Sequence, residues 1–321
     1  MTMTTIDERA AVLALTKATR DQPWFYTARV ILDAGSALAL LDGGYACRDE
    51  DDQAHAAAIA ARVQPGDLSR GRDLITAMRT EGVHLVTVLD DAYPGNAIWA
   101  YDRQPFLWTR GRFQAGDHRA VAVVGEHDAD HATAAAQALA EAGLTVVAPL
   151  RTDLDAAVHQ AALAAGGRTL AVLAGGITEP ATFAAGGRTL AVLAGGIAEA
   201  ATLGEYASVA KRIADRGAIV SPFWPGTAPT DLTVTLARIA TCGLADSLYV
   251  IDGADGGPSA RHVEEALRTG KRVFVSQWLQ QEQPWVDRAG LRGGMTGVQD
   301  IDDLCQQAVN LVDMTPRTHT C

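Results

Sequence analysis

The feature that most constrains the fold is an alternation of short apolar runs with amphipathic segments between residues 120 and 276. The runs have the length of β-strands and lack polar alternation, which is typical of strands buried on both faces of a parallel sheet. They are AVAVVG (120–125), LTVVAP (144–149), LAVLAGG (170–176), AIVS (218–221), SLYVID (247–252) and RVFVS (272–276). Because connections between parallel strands are right-handed, this pattern predicts a Rossmann-like, doubly wound and mainly parallel α/β sheet.

An internal repeat lies within this region. Residues 164–183 recur as residues 184–203 and are identical at 17 of 20 positions, which indicates a recent tandem duplication. Two units are too few to form a solenoid with a core of its own. Each copy carries the apolar sequence TLAVLAGG, and an exposed second copy would favour aggregation. We therefore expect the second copy to join the sheet or to be buried at a subunit contact; a looped-out copy is the alternative.

The flanking regions are predicted to be mainly helical. The 321 residues exceed what one compact core usually holds, so smaller modules are expected beside the sheet. Residues 1–82 show helical periodicity and are predicted to form a helical module, while residues 83–276 form the Rossmann-like domain. Residues 277–321 are predicted to be a C-terminal tail that begins as a polar connection and ends in a helix. Apolar residues at helical spacing mark that helix: Ile301, Leu304, Ala308 and Leu311.

Composition restricts the classes of partner. The net charge of −11 gives the whole molecule a field that repels nucleic acid, so any DNA binding must come from a local basic pocket. The chain has no apolar stretch of about 18 residues, which argues against a membrane span. Its N-terminus lacks the layout of a secretory leader, and we expect a cytoplasmic protein. The four cysteines form no CxxC pair, so neither a zinc cluster nor a disulfide framework is predicted.

Motifs for catalysis or for a cofactor are absent from the sequence. The chain contains no GxxxxGK[ST], GxSxG, HExxH or complete GxGxxG. The eight histidines show no spacing that indicates a metal site. We therefore predict a binding protein without a cofactor or metal rather than an enzyme, and the enzymatic alternative is a degenerate nucleotide hydrolase.

Eight segments resemble the DprA/Smf family of DNA-processing proteins in sequence and order, and together they span residues 20–312. They are DAGSALALLDGG, DDAYPGNAIWAYDRQPFLWTRG, VVG, LDAAVHQAALAAGGRTLAVLAGGI, AIVSPFWPGTAP, GLADSLYVIDG, GGPSARHVEEALRTGKRVFV and GGMTGVQDIDDL. The resemblance implies a protein that binds single-stranded DNA in DNA processing and recombination, that hands it to a RecA-type recombinase, and that acts as a homodimer.

The family's turn after the first strand of the domain, Gly-x-Arg-x-x-Ser, falls on Gly125, His127 and Asp130. The resemblance implies an anion site there, formed by backbone N–H groups and the start of a helix. His127 replaces the family's arginine, and Asp130 replaces its serine. Asp130 is the expected N-cap of the helix and would repel a phosphate, which weakens this subsite.

A second family motif retains its Asp and His as Asp155 and His159. These residues lie at positions i and i+4 on one helix face, close enough for a hydrogen bond. We expect a structural pair that caps and tethers the helix, and a ligand-binding role is the alternative.

Two further family motifs bear on anion binding. The family's Arg-Asn-Arg is reduced here to Arg238, which is expected either to contact a phosphate or to pair with Asp246 or Asp231. The family's Ser-Gly-Ser turn matches the stretch from Gly257 to Ser259, where a helix begins. The alternatives for this turn are an anion site and ordinary N-capping by Ser259.

In open parallel sheets, ligands bind beyond the carboxyl ends of the strands, and we call this edge the rim. Aromatic residues after AIVS are expected either to stack on an unpaired base or to fill the core. The candidate DNA- and phosphate-binding residues are Gly125, His127, Arg151, Phe223, Trp224, Arg238, Gly257, Ser259, Arg261, Lys271 and Arg272. The alternative function is a sensor that binds a nucleotide-type small molecule in the same crevice.

Overall fold

A computed structural model describes residues 4–19, 24–44, 49–177, 206–291 and 293–314 of the chain. The whole second copy of the repeat, residues 184–203, lies outside the described residues. The expectation that this copy joins the sheet or a subunit contact is therefore not addressed by the structure.

Five helices precede the sheet, as the sequence predicts. In the first, α1, all successive residues from Ala10 to Thr16 are buried, which is typical of a helix surrounded by other elements, and Thr5 caps its start by accepting a hydrogen bond from the backbone of Glu8. The helices are α1 (Ile6–Ala18), α2 (Trp24–Ala34), α3 (Ala37–Asp42), α4 (Glu50–Ala60) and α5 (Asp67–Thr80). Their apolar residues belong to the same core cluster as one face of the sheet.

The described residues form nine strands in one sheet of order β1-β2-β6-β5-β4-β3-β7-β8-β9. Strand β2 pairs antiparallel with both β1 and β6, and every other pairing is parallel, so the predicted mainly parallel sheet is confirmed. The strands are β1 (Val83–Thr87), β2 (Phe106–Gly111), β3 (Ala120–Val124), β4 (Thr145–Pro149), β5 (Thr169–Val172), β6 (Ala218–Ser221), β7 (Ser247–Val250), β8 (Arg272–Ser276) and β9 (Met295–Val298).

Helices cover both faces of this sheet. Alternate residues of β3 enter different cores: Val121 and Val123 face one, and Ala120, Ala122 and Val124 face the other. This double burial explains why the strands read as continuous apolar runs. The helices are α6 (Gly95–Ile98), a 3₁₀ turn (Ala115–His118), α7 (Ala129–Glu141), α8 (Asp153–Ala164), α9 (Ala207–Arg216), α10 (Asp231–Leu244), α11 (Pro258–Arg268), α12 (Gln277–Glu282), α13 (Pro284–Gly290) and α14 (Ile301–Met314).

The segment predicted as a polar connection after β8 is instead ordered structure: α12, α13 and β9. Leu279, Trp285 and Val286 are buried, and the indole N–H of Trp285 donates to the carbonyl of Gly253 at 3.1 Å. Strand β9 has no apolar run because it is an edge strand with only Val298 buried. The prediction of a terminal helix is confirmed by α14.

The strand order reverses between β3 and β7. From β3 the chain proceeds outward through β4, β5 and β6, and it then returns to the other side of β3 to form β7, β8 and β9. The carboxyl ends of β3 and β7 therefore flank the crevice in which this class of fold binds ligands. Among the described residues, no helix is long and apolar enough to cross a membrane.

Candidate nucleic-acid interface

The backbone turn after β3 is occupied by a carboxylate of the protein itself. Asp252, which follows β7 and is buried, accepts hydrogen bonds from the backbone N–H groups of Glu126 (2.5 Å), His127 (2.9 Å) and Asp128 (2.9 Å). These are the donors that the sequence assigned to a phosphate. The expected anion site at Gly125 and His127 is corrected, because its N–H groups bind Asp252 instead.

The same turn begins α7 and brings β3 close to β7. Asp128, not the expected Asp130, is the N-cap, and its carboxylate accepts from the backbone of His131 at 3.0 Å. A Cβ atom on Gly125 would lie only 2.9 Å from the Cβ of Ile251. Glycine at this position therefore serves the close approach of the two strand ends rather than a bound phosphate.

A carboxylate of the protein also occupies the start of α11. Gly257 is the N-cap, and the carboxylate of Glu126 accepts from the backbone N–H of Ser259 at 3.0 Å. A Cβ on Gly253 or Gly257 would lie 2.9 or 2.8 Å from that same carboxylate oxygen. Ser259 is thus not the N-cap, and the side chain of Glu126 takes the place expected for an anion. Asp252 and Glu126 accept from the backbone N–H groups that a nucleotide phosphate would use, which argues against the nucleotide-sensor alternative.

Three of the predicted arginines do converge. Arg151 follows β4, Arg238 lies midway along α10, and Arg261 lies in the first turn of α11. Burial lowers the pKa of Arg238, and the positive charges of Arg261 and, to a smaller extent, Arg151 lower it further. Arg238 therefore lies within electrostatic range of both Arg261 and Arg151, and we call these three residues the arginine cluster.

The arginine cluster forms no close ion pair with the carboxylates of the described residues. Several other arginines form ion pairs, including Arg9 with Asp90 at 2.8 Å and Arg168 with Asp117. None of the ion pairs recorded among the described residues involves a member of the arginine cluster. At longer range, Glu265 interacts with Arg238 and Asp155 with Arg151, and Glu265 is itself bound to Arg268 at 2.6 Å. A local positive surplus thus exists in a chain of net charge −11.

Buried polar atoms without a hydrogen-bond partner lie beside the cluster. They are Nε of Arg238, Oγ of Ser259 and Nε2 of His262, and no described residue bonds to them. Ser259 and His262 are three residues apart on α11 and so share a face of that helix. Buried polar groups in native proteins are normally paired, so these three atoms are exceptions that the described residues leave unsatisfied.

His262 is a site residue that sequence reasoning missed. Its Nδ1 lies 3.0 Å from the carbonyl oxygen of Pro258, which can only accept, so Nδ1 carries the proton. Burial and then the charges of Arg238 and Arg151 lower the pKa of His262 to about 4. The ring is therefore neutral at pH 7, and Nε2 is a bare acceptor. The spacing from Ser259 on the same helix was the one sequence signal that could have found it.

Two other predicted residues lie at the opposite edge of the sheet. Lys271 and Arg272 precede or begin β8, whereas the rim lies at the carboxyl ends of the strands. The ammonium group of Lys271 donates to the carbonyl of Ala245 at 2.7 Å, and burial lowers its pKa to about 8. Their placement with the rim residues is corrected, because a parallel strand has its two ends on opposite edges of the sheet.

The aromatic pair after β6 has a packing role. Phe223 is 2% exposed and belongs to the main core, so it is not available to stack on a base. Trp224 is half-buried and packs edge-on against Phe106, with ring centroids 6.2 Å apart. The core-filling alternative is therefore the one that the structure favours for Phe223.

Asp155 and His159 stabilise α8 separately. Asp155 forms a capping box with Thr152 at the start of the helix. His159 binds the hydroxyl of Thr169 through Nδ1 at 2.6 Å and the carbonyl of Pro149 through Nε2 at 3.0 Å. The expected hydrogen bond between Asp155 and His159 is wrong, because both ring nitrogens of His159 are engaged elsewhere. Asp155 thus caps α8, and His159 joins this helix to β4 and β5.

Comparison with known families decides the relationship. The family model described as DNA recombination-mediator protein A matches residues 84–184 and 179–309. This chain belongs to that family. The two matched segments overlap at residues 179–184, where the first copy of the repeat ends and the second begins.

Individual relatives agree with this assignment. DNA processing protein DprA of Streptococcus pneumoniae is 34% identical over 198 residues, which cover 59% of this chain and 61% of the relative. DprA of Bacillus subtilis is 22% identical over 70% of each chain. A putative DprA of Mycobacterium tuberculosis is 30% identical over 225 residues, 64% of this chain and 52% of the relative. The chain thus spans only about half to two-thirds of the length of several of these relatives.

Solved structures show the same fold. The X-ray structure of DprA from S. pneumoniae matches with a TM-score of 0.59 and 21% identity, covering 95% of this chain and 99% of that one. DprA from Helicobacter pylori, described for its single-stranded-DNA-binding mode, matches with a TM-score of 0.55 and 16% identity over 71% and 96% of the two chains. These two DprA structures therefore share the fold of this chain.

Proposed function

We propose that this chain binds single-stranded DNA in DNA processing and recombination, and that it acts by binding rather than by catalysis. The arginine cluster carries the proposal. Three arginines that form no close ion pair with the described residues provide the local basic site that an acidic protein needs in order to bind a polyanion. Membership of the family and the described binding mode of the H. pylori relative support the choice of ligand.

The site has a different construction from the one that the family motifs imply. Asp252 and Glu126 occupy the two helix starts at the strand-order reversal, so phosphates are bound by side chains of the arginine cluster rather than by backbone N–H groups. Ser259, Arg261, Arg238 and Arg151 are the proposed contacts.

An anisotropy titration with a labelled single-stranded oligonucleotide tests the proposal. Each phosphate contact contributes about −0.7 to the slope of log affinity against log salt concentration, so three contacts predict a slope near −2. Arg261→Ala is expected to reduce the slope by about 0.7 and the affinity about tenfold, because it removes one charge-assisted contact.

Arg212→Ala is the matched control, since Arg212 is an exposed arginine on α9 outside the arginine cluster. Its affinity and salt slope should equal those of the unaltered protein. Absence of binding at low salt, or equal losses in the two variants, would contradict the proposal.

The proposal extends to a cytoplasmic homodimer that delivers the strand to a RecA-type recombinase, as the DprA/Smf resemblance implies. Sedimentation of the purified protein checks the dimer. Faster assembly of recombinase filaments on coated single strands checks the delivery.

A further inference from the structure

An exposed tryptophan lies at the rim. Trp278 is two residues beyond the carboxyl end of β8, in the first turn of α12, and it is 58% exposed. An aromatic ring in water forgoes the free energy that its burial would contribute. Trp278 therefore presents apolar area at the edge of the sheet where ligands of this class of fold bind.

The helix that carries Trp278 is anchored to the sheet. Ser276 caps α12 by accepting from the backbone N–H of Leu279 at 3.1 Å, and Leu279 is completely buried. The side-chain amide of Gln280 donates to the carboxylate of Asp287 at 3.2 Å, which joins α12 to α13. Because the backbone at Trp278 is already ordered, a ligand that stacks on the indole immobilises little additional chain.

Strands β7 and β8 end at the same level of the sheet. Val250, the last residue of β7, pairs with Val275, the penultimate residue of β8. Adjacent strands lie about 4.8 Å apart, so the loop after β7 (residues 251–257) and the start of α12 leave the sheet side by side. Leu279 of α12 and Val263 of α11 belong to the same core cluster, so these two helices cover the same face of the sheet.

The loop after β7 also connects Arg261 to this part of the rim. Nε of Arg261 donates to the carbonyl of Gly256 at 3.1 Å. The indole of Trp285, in the helix after α12, donates to the carbonyl of Gly253 at 3.1 Å. These two glycines are three positions apart, which an extended chain separates by at most about 11 Å. A positive charge for a phosphate and an aromatic face for a base therefore lie at neighbouring places on the rim.

Little free negative charge opposes a strand at these places. The loop after β7 and the helices α12 and α13 contain four carboxylates, and three of them bind donors. Asp252 accepts from backbone N–H groups, Asp255 pairs with an arginine, and Asp287 accepts from an amide. The fourth, Glu282, is the last residue of α12. Arg261 itself is exposed and takes part in none of the ion pairs recorded among the described residues.

We propose that the indole of Trp278 stacks on an unpaired base of the single strand whose backbone Arg261 binds. This inference rests on the proposed function and adds a base contact to it. Every base has a π face, so stacking tolerates any sequence but requires a base that is free to leave its neighbours. Trp278 thus favours single strands over duplexes, in which the bases stack on one another.

Oligothymidylate and an abasic oligomer of the same length, both labelled, test this contact in anisotropy titrations. The two oligomers carry the same phosphates, and only the first carries bases. The ratio of their affinities is expected to fall by at least about fivefold in Trp278→Ala, because alanine removes the stacking face. The slope of log affinity against log salt concentration should stay unchanged, because indole carries no charge.

Trp99→Ala is the matched control. Trp99 is 68% exposed and follows α6, in which Asn96 donates to the carbonyl of Leu244 at 3.0 Å, ahead of β7 and so at the opposite edge of the sheet. Its affinity ratio should equal that of the unaltered protein. Trp278→Phe, which keeps an aromatic face, should retain most of the ratio, whereas Trp278→Leu, which keeps apolar area alone, should lose it.

The outcomes separate this inference from the proposed function. A ratio that Trp278→Ala leaves unchanged overturns the stacking contact but leaves single-strand binding intact. Equal ratios in Trp278→Phe and Trp278→Leu assign the residue to apolar packing and also overturn it. A dimer that sedimentation shows to be lost in Trp278→Ala, with the ratio unchanged, assigns the indole to a second copy of the chain instead. Failure of both oligomers to bind at low salt overturns both proposals.

Discussion

Two buried histidines show how burial sets protonation in this chain. His159 uses both ring nitrogens to join Pro149 and Thr169, and burial lowers its pKa to about 4. His262 has a pKa lowered to the same value, but its Nε2 has no partner among the described residues. The first arrangement is what a structural residue requires. The second is what a ligand-binding residue offers, because a partner must come from elsewhere.

Acid is expected to destabilise the protein through these residues. In the unfolded chain a histidine has a pKa near 6.5, so between about pH 6.5 and pH 4 the unfolded state binds more protons than the folded state. The free energy of unfolding therefore falls as the pH falls through this window, by roughly 3 kcal/mol for His159 alone.

Urea unfolding at pH 7.0, 5.5 and 4.5 measures this effect. His159→Gln should be less stable at pH 7 but should lose less stability on acidification than the unaltered protein. His127→Gln, which removes an exposed imidazole, should keep the full pH dependence. An identical acid response in His159→Gln and the unaltered protein would refute the assignment.

Among the elements, the contact between the β3–α7 turn and the end of β7 is central to the site. One carboxylate, that of Asp252, accepts three backbone N–H groups across the strand-order reversal. The carboxylate of Glu126 likewise accepts a backbone N–H group at the start of α11. These two contacts hold together the elements that position Arg261 and His262, and they remove from the crevice the donors that a nucleotide would use.

Asp252→Ala is expected to lower the free energy of unfolding by about 3 kcal/mol, because three N–H groups lose their acceptor. The freed turn at the start of α7 should then bind an anion. Inorganic phosphate is therefore expected to raise the Tm of this variant more than that of the unaltered protein.

Asp255→Ala provides the comparison, because Asp255 is exposed and pairs only with exposed Arg288. It should change stability by less than about 1 kcal/mol and show no added response to phosphate. If calorimetry shows the same stability and the same response to phosphate for Asp252→Ala and Asp255→Ala, the role of Asp252 in binding the three backbone N–H groups is wrong.

For the whole molecule, the distribution of charge matters more than its sum. The net charge of −11 disfavours nucleic acid at long range, yet carboxylates neutralise arginines such as Arg9 and Arg168 and leave the arginine cluster uncompensated. The protein is thus expected to bind single strands through one site, with little non-specific attraction elsewhere.

The repeat allows a prediction about the entire chain. Residues 164–177 and 184–197 are identical, and the first set contains β5. Deleting residues 164–183 and deleting residues 184–203 therefore yield chains that differ at three positions only, both with the complete β5 sequence. Both single-copy variants are expected to unfold cooperatively with Tm values within a few degrees of each other, because the two chains carry the same β5 sequence and differ at three positions only. Thermal denaturation checks this, and failure of either variant to fold would disprove it.

The sequence by itself determined the parallel sheet, because strands buried on both faces must be apolar at successive positions, as in Ala120–Val124. It also determined the N-terminal helices and α14, whose periodicity is local. It did not reveal β9, an edge strand that buries little.

Only the tertiary structure decided how the site is built. Asp252 and Glu126 fill the two helix starts through contacts that span 126 and 133 residues of chain, and local spacing does not encode such contacts. Local spacing also does not encode that Arg238 lies within electrostatic range of Arg151 and Arg261. Nor does it encode that Lys271 lies at the opposite edge of the sheet. Motif spacing fixes which residues share one element, whereas the packing of separate elements fixes which charges meet.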